Sequence, residues 1–425
     1  MSFETAFTMD TSAIKYGEGV TREVGEDAKN LGATRVMVVT DARLADHVAV
    51  QTTVESLKAA GVDFALYSNT RVEPTDVSFA EATEFATDGG FDGYIAVGGG
   101  SVIDTAKAAN LYATYPADLL TYVNAPIGQA KPVPGKLRPL IAIPTTAGTG
   151  SETTGTTIFD LTSMHVKTGI AHRALRPVLG ILDPINTLTM PPMVTASSAL
   201  DVLSHAIESY TALPYNRRPA PESPRLRPAY QGANPISDVW SSKAAEMVAS
   251  NLETVVNEPN NLEARGQMML AAAYAGIGFG NAGVHLPHGM SYPVSGLVRS
   301  YVPDGYPDDH PMVPHGISVI LNAPAVFRFT AQADPERHLE AARMLGADVS
   351  GAGPEEAGEI LANRLIDIMR RTGMPNGLSA VGFTEDDIDR LVAGTVPQHR
   401  VTKLSPRPAS ETDLAEMFRD AMVYW

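Results

Sequence analysis

The spacing of apolar positions changes character near residue 190. Before it, short apolar runs alternate with amphipathic stretches. "RVMVVTD" (35–41), "VDFALYS" (62–68), "YIAVGGGS" (94–101), "PLIAIP" (139–144) and "LGILDP" (179–184) read as strands; "DVSFAEATEFATD" (76–88) reads as a helix, and another opens at Val102. Repeated strand–helix units predict a mostly parallel sheet with helices on its faces. After "MPP" (190–192) helical patterns dominate: "MVAS" and "LETVV" within 247–256, "QMMLAAAYAGIG", "PEEAGEILANRLIDIMRR" and "SETDLAEMFRDAM". Pro354 suits a first helical position, and Ser410 with Asp413 forms a capping pair. The expected architecture is an α/β domain over residues 1–190 followed by an all-helical domain over 191–425. Within the second, "PYNRRPAPESPRLRPAYQGANP" (214–235) is a Pro-rich, Arg-bearing loop, and a loop of that length in a compact domain is usually functional or mobile.

Composition narrows the chemistry. The chain has 425 residues, 44% of them hydrophobic, enough for substantial cores. Its 48 acidic and 32 basic residues leave a net charge of −16, which argues against nucleic acid and against an anionic membrane surface as partners. There are no cysteines, so disulfides, iron–sulfur clusters, zinc thiolates and cysteine nucleophiles are excluded. Any metal must be held by His, Asp, Glu or water. Nothing approaches eighteen consecutive apolar residues, and the opening "MSFETAFTMDTSAIKYGEGV" reads as neither a secretory signal nor an Arg-rich transit peptide, so a cytoplasmic protein is expected.

Two turns carry candidate phosphate chemistry. "YIAVGGGSVIDTAKAA" sets three glycines between a strand and a helix, where close backbone approach, free N–H groups and the helix dipole favour an anion. The spacing is not G-x-G-x-x-G, and a tight turn before a helix is the plain alternative. "IPTTAGTGSETT" (143–154) is a second polar turn after a strand. Asp41, at the end of the first strand, could accept hydrogen bonds from a ribose diol and would repel a 2′-phosphate, favouring NAD over NADP. Asp104, in the first turn of the helix after the glycines, suits the dipole and joins this cofactor-side group.

A metal constellation is also legible. In "ALDVLSHAIESY" (199–210), Asp201 and His205 lie four apart on one helical face. His288 and His315 each precede a glycine in "GVHLPHGMSYPVSG" and "DDHPMVPHGISVI". Together they make a possible Asp/His3 set suited to Fe²⁺ or Zn²⁺ rather than to Mg²⁺ or Ca²⁺. Glu208, one turn beyond His205, reads as support rather than ligand. His285 and His310 sit close to the set; His47, His165, His172, His338 and His399 read as ordinary core or surface histidines.

In order, "GGGSVIDTAK", "IPTTAGTGSE", "DVLSHAIESY", "HGMSYPVSG" and "VPHG" resemble the motifs of the iron-containing alcohol dehydrogenase family, over nearly the whole chain. The resemblance implies an N-terminal dinucleotide-binding domain and metal ligation by Asp201, His205, His288 and His315. It implies dinucleotide contacts at Gly98, Gly99, Ser101, Thr145, Thr146 and Ser151, a ribose contact at Asp41 and a cofactor-side Lys167. It also implies a homodimer or larger assembly. There are departures. Many members carry a second histidine where this chain has Tyr292, which becomes a candidate catalytic residue beside His310. Ala199 stands where a glycine is common, and the usual Asn-Pro-Thr turn reads Glu73-Pro74-Thr75.

"GIGFGNAGVHLPHGMSYPVSGL", "AVFRFTAQADPERHLEAARMLGAD" and "PQHRVTKLSPRP", with the 214–235 loop, narrow the resemblance. They resemble members that move a hydride from a hydroxy acid, 4-hydroxybutyrate, to an oxoacid, 2-oxoglutarate, through bound NAD. Both substrates are carboxylates, so the acidic chain needs a local cation. Candidates are Arg217, Arg218, Arg225, Arg227, Arg400 and Lys403, most of which would by default be solvated surface charges. Three alternatives stay open: a dehydrogenase exchanging NAD(H) with solution, a lyase of the dehydroquinate synthase type, and a non-catalytic NAD-binding protein.

Overall fold

A computed structural model describes Ser2 to Trp425 except His165; the side chain of Arg225 also lies outside the described residues. The chain forms two compact units, Asp10–Met190 and Pro191–Trp425, the second joined by the stretch through Met9.

The first unit is built on strands β1 (Ala13–Tyr16), β2 (Arg35–Val39), β3 (Asp63–Tyr67), β4 (Gly93–Gly98), β5 (Leu140–Pro144), β6 (Thr156–Leu161), β7 (Val166–Ala171) and β8 (Leu179–Leu182). Its helices are α1 (Val24–Asn30), α2 (Val48–Ala60), α3 (Asp76–Gly89) and α4 (Gly100–Thr114). Six strands form one parallel sheet in the order β1-β8-β5-β4-β2-β3, while β6 and β7 pair separately as an antiparallel hairpin. β4 is buried along its whole length, as a central strand covered on both faces must be. The chain leaves β2 toward β3 on one side, and leaves β4 toward β5 on the other. The β2/β4 boundary is therefore a topological switch point, where open α/β sheets bind ligands beyond the carboxyl ends of their strands. The register sets Gly98 opposite Pro144, so the glycine turn and the Thr-rich turn leave the sheet side by side.

The second unit is helical. Its elements are α5 (Pro192–Thr211), α6 (Pro235–Asn257), α7 (Leu262–Ala282), α8 (Leu286–Gly296), α9 (His315–Ile320), α10 (Ala323–Thr330), α11 (Pro335–Met344), α12 (Ala357–Arg371), α13 (Ile388–Thr395), α14 (His399–Thr402) and α15 (Glu411–Asp420). α15 carries the Ser410/Asp413 capping box, and Pro354 opens a short 3-10 turn leading into α12. α5 is buried on nearly every face and packs against α6, α7 and α9. α6 and α7 approach closely because α7 presents small residues. A Cβ on Gly278 would lie 2.3 Å from Ser241 Oγ, and that hydroxyl in turn donates to Ser209 of α5 at 2.9 Å.

The division at residues 1–190 needs one correction. The N-terminal stretch belongs with the helical unit because its backbone pairs with the 214–235 segment. Glu4 N–H donates to the Arg218 carbonyl at 2.9 Å, Ala220 N–H to that of Ser2 at 3.0 Å, and Phe3 bridges to Pro219. Gln231 grips Thr8 through both ends of its amide. The Glu4 carboxylate takes two hydrogen bonds from Arg227, at 2.9 and 3.2 Å. The long loop is thus tied down by residues more than two hundred positions away.

Two outcomes test this packing. Gly278→Ala should destabilise the helical unit by about 1–3 kcal/mol in denaturant unfolding, with partial recovery in the double variant carrying Ser241→Ala. The Glu4 carboxyl is held down to about 2, from 4.5, chiefly by its hydrogen bonds to Arg227. A depressed carboxyl stabilises fully above its unfolded value and loses that contribution as pH falls from about 4.5 toward 2. Amide exchange at Thr5 and Ala6, whose N–H groups both donate to Glu4, should rise across that window; Glu4→Gln should show raised exchange already at neutral pH.

Candidate active site

In the α/β unit, β4 ends at Gly98 and α4 starts at Gly100, with Gly99 as an N-cap that has no side chain to satisfy the first amides. Gly98 and Gly100 leave no room for a side chain. A Cβ on Gly98 would meet Val102 Cγ2 at 2.5 Å, and one on Gly100 would meet Thr149 Cγ2 at 2.6 Å. Thr145 N–H donates to the Gly98 carbonyl at 3.1 Å, latching the second turn to the first. The Thr145 and Thr146 hydroxyls have no partner among the described residues, so both are available to a ligand. Ser101 Oγ accepts from Glu73 N–H at 3.2 Å. Asp41 lies just beyond β2, where one carboxylate oxygen accepts from Arg43 and Leu44 N–H, and burial raises its pKa.

Three expected cofactor residues are engaged elsewhere. Ser151 Oγ donates to Asp104 Oδ1 at 2.8 Å and accepts from Lys107 Nζ at 2.6 Å; Asp104 Oδ2 accepts from Ile158 N–H at 2.9 Å. Asp104 and Ser151 therefore join a buried network beneath the turns rather than presenting free polar atoms to a ligand. Burial pushes Lys107 down to about 8 and Glu152 up to about 7. Lys167 is buried between Glu73 and Asp160. Burial alone would lower its pKa, but the Asp160 and Glu73 carboxylates outweigh it and raise it. Glu73 adopts a left-handed backbone, φ 54°, to reach this pair.

In the helical unit, α5 carries Asp201, His205 and Glu208 along one buried face. α8 brings His288, and His315 is the first residue of α9. One potential ligand atom from each of Asp201, His205, His288 and His315 lies within 4.8 Å of the others. Asp201 Oδ1 stands 3.8 Å from His205 Nε2, 3.6 Å from His288 Nε2 and 3.9 Å from His315 Nε2. The His205 and His288 Nε2 atoms are 3.0 Å apart. Tetrahedral ligands at ~2.1 Å from a metal are separated by roughly 3.4 Å, so these spacings fit one small divalent ion.

Glu208 explains the aim of His288. Its Oε1 is 2.6 Å from His288 Nδ1, and its Oε2 accepts from the His285 and His288 N–H groups at 2.7 and 3.4 Å. One carboxylate thus caps the start of α8 and holds the His288 proton on Nδ1, leaving the Nε2 lone pair toward the cluster. The His205 ring stacks on Phe279, centroids 3.9 Å apart. Burial, reinforced by Arg400, drives His288 down to about 3; burial and the neighbouring imidazoles hold His205 well below its ordinary value. Both rings are therefore neutral, the form a metal requires. Asp201, His205 and His288 are buried while the His315 side chain is 24% exposed, which leaves one open side.

The other candidates disperse. His285 bonds Thr211 Oγ1 at 3.0 Å, and His310 pairs with Asp309. His47 and His172 cap short turns and helices, and His338 bonds Thr330. Tyr292 lies one turn past His288 on α8, buried, and its hydroxyl oxygen accepts from Arg400 Nη2 at 2.8 Å. Arg227 is paired with Glu4, Arg217 and Lys403 are exposed, and Arg218 is half-buried. Of the described cationic candidates, only Arg400 is linked to the neighbourhood of His288. Phe279 beneath His205 and Lys107 beneath the glycine turn escaped sequence reading. Nothing in the local pattern of "GIGFGNA" or "DTAKAA" separates a supporting ring or amine from ordinary core.

Two family models match the chain: iron-containing alcohol dehydrogenase over residues 11–184, and the C-terminal part of the same family over 229–422. The hydroxyacid-oxoacid transhydrogenases of Bos taurus and Homo sapiens, both named as mitochondrial, are each 57% identical over 419 residues, covering 98% of this chain and 90% of theirs. A probable transhydrogenase of Dictyostelium discoideum is 51% identical over 435 residues, covering 99% of this chain and 80% of its own. Among solved structures, a 1,3-propanediol oxidoreductase superposes with a TM-score of 0.86 at 27% identity, over 98% of this chain and 100% of its own. Sulfoacetaldehyde reductase from Bifidobacterium kashiwanohense, in complex with NAD⁺, superposes with a TM-score of 0.78 at 26% identity, over 98% of both chains. The chain belongs to the iron-containing alcohol dehydrogenase family and is an oxidoreductase. The expectation of a cytoplasmic protein is overturned, because these relatives are mitochondrial proteins by name.

The Glu208–His288 link predicts a measurable dependence. Glu208→Ala should weaken retention of Fe²⁺ or Zn²⁺ about 10–100-fold in chelator competition, with Glu208→Gln intermediate and helical content unchanged by circular dichroism.

Proposed function

We propose that this member of the iron-containing alcohol dehydrogenase family is a hydroxyacid–oxoacid transhydrogenase. It moves a hydride from 4-hydroxybutyrate to 2-oxoglutarate through bound NAD, yielding succinate semialdehyde and 2-hydroxyglutarate. The observation that carries the reading is identity of 57% to proteins of that name across 98% of the chain. The Asp201, His205, His288 and His315 cluster supports it with a donor set suited to the chemistry.

In this reading those four residues hold one Fe²⁺ or Zn²⁺, and the glycine turn holds the dinucleotide. When bound, the metal supplies Lewis-acid polarisation of the substrate's hydroxyl or keto oxygen, and the nicotinamide supplies the hydride-accepting ring. The chain's own contribution is placement. Glu208 keeps the His288 proton on Nδ1, so the Nε2 lone pair would be free to hold the metal. Burial keeps His205 and His288 neutral, so neither competes for the substrate's proton. The open amides at the start of α4 receive the pyrophosphate, the Thr145 and Thr146 hydroxyls add neutral donors beside it, and Asp41 selects a ribose without a 2′-phosphate. The proton lost by the hydroxy acid is regained by the oxoacid, so a full cycle consumes neither protons nor free NAD.

A second reading, a dehydrogenase that exchanges NAD(H) with solution, is favoured by the likeness to the 1,3-propanediol oxidoreductase. One experiment separates the two. Purified protein given 4-hydroxybutyrate and 2-oxoglutarate with no added nucleotide should form 2-hydroxyglutarate and succinate semialdehyde in equal amounts. Activity appearing only when NAD⁺ is added would favour the dehydrogenase, and no turnover of either acid would reject both.

A further inference from the structure

Arg400 is the second residue of α14, a four-residue helix, and its partly buried side chain lies against two tyrosines. Nη2 donates to the Tyr292 hydroxyl at 2.8 Å, and the guanidinium carbon stands 5.0 Å from the centre of the Tyr230 ring. Nη1 is sealed from solvent and has no hydrogen-bond partner among the described residues. No carboxylate among the described residues pairs with Arg400, whereas Arg227, Arg299, Arg328, Arg337 and Arg364 each have at least one. A guanidinium is always charged, and burying one without an anion is costly. Its tyrosine neighbours offset part of that cost through a ring face and their hydroxyls, but Nη1 is left unused.

The position of this cation matters as much as its lack of a partner. Tyr292, which holds Nη2, lies one turn from His288 on the same face of α8, and the charge of Arg400 is felt at His288. A guanidinium with one sealed, unused donor thus lies near the metal cluster and within the same unit.

We propose that Arg400, positioned by Tyr292 and the face of Tyr230, anchors the substrate carboxylate that lies three carbon–carbon bonds from the reacting carbon. This rests on the transhydrogenase reading and deepens it. In 4-hydroxybutyrate the hydroxyl is on C4 and the carboxylate is C1. In 2-oxoglutarate the keto group is on C2 and the distal carboxylate is C5. The spacing is the same in both, so one fixed cation and one reacting position serve donor and acceptor in turn without rearrangement. The second carboxylate of 2-oxoglutarate, adjacent to the keto group, then lies at the metal end, away from Arg400. Arg400 is in this account a binding residue, and Tyr292 a positioning residue that aims it.

The test compares Arg400→Met, Arg400→Lys and Tyr292→Phe in the metal-loaded, NAD-containing protein. Arg400→Met should raise KM for both 4-hydroxybutyrate and 2-oxoglutarate at least tenfold, the loss of one charge-assisted pair, with a smaller change in kcat. The inhibition constant of succinate, which carries the same carboxylate but no reacting group, should rise in parallel. Arg400→Lys, keeping the charge without the planar fork, should fall between wild type and Arg400→Met; Tyr292→Phe should raise both KM values by a smaller factor. Unchanged KM for both acids in folded Arg400→Met, or an effect on one acid alone, would overturn the shared anchor. Should Arg400→Met fail to fold, the same comparison in Arg400→Lys and Tyr292→Phe decides, and no change in either would overturn it. The parent reading fails separately, through a wild-type protein that transfers no hydride between the two acids; succinate binding to wild type and to Arg400→Met still reads the anchor in that event.

Discussion

The helical unit is organised by a single electrostatic constraint: α5 buries two carboxylates, Asp201 and Glu208, on one face of a helix that has almost no solvent-exposed surface. Isolated carboxylates in such an interior cost several kcal/mol each. Glu208 is satisfied by two backbone N–H groups and one imidazole of α8, and that demand fixes where α8 begins and which way His288 turns. Asp201 faces three imidazoles from α5, α8 and α9 at 3.6–3.9 Å. The metal cluster is thus a consequence of how α5 is buried as much as of the ligands themselves. Phe279, Gly278 and Ser241 serve the same end by letting α7 and α6 close around it.

The α/β unit solves a different problem. Its sheet must present bare backbone at the switch point between β2 and β4, yet the turns that do so must be rigid. The stiffness comes from below. Lys107 reaches from α4 to Ser151 and the Thr156 carbonyl, and Asp104 reaches to Ser151 and Ile158. A buried lysine and aspartate one helical turn apart therefore tie the helix after β4 to the segments after β5. Polar residues next to a glycine turn are easily taken for ligand contacts; here they hold the two turns together, and the first amides of α4 and the Thr hydroxyls are what remain for a ligand.

Much of this was legible before the fold. Alternating strands and helices give way to helices at residue 190, and the structure shows a parallel sheet followed by a helical unit. The Asp201/His205 spacing places two donors on one face by helix geometry alone. Less legible were β1 and the β6–β7 hairpin: β1 is short and has a largely exposed pattern, so it lacks an apolar signature. Attachment of the N-terminal stretch to the 214–235 loop was also invisible, since it rests on backbone pairing and one ion pair across more than two hundred residues. The roles of Asp104, Ser151 and Lys167 looked alike from the sequence and diverged in three dimensions.

By itself the sequence determined the chemical types available: three imidazoles and a carboxylate at workable spacings, glycines where backbone must be bare, and no thiol. These follow from side-chain identity and local periodicity, which survive without a fold. Only the tertiary structure decided which of the described candidate cations has a sealed donor and no counter-ion near His288, and which polar residues are consumed in the interior. Pairing between Arg400 and Tyr292, 108 positions apart, depends on how α14 packs beside α8. Desolvation, which sets the charge state of His288 and the energetic need of Arg400, is created by that packing and has no counterpart in a linear chain.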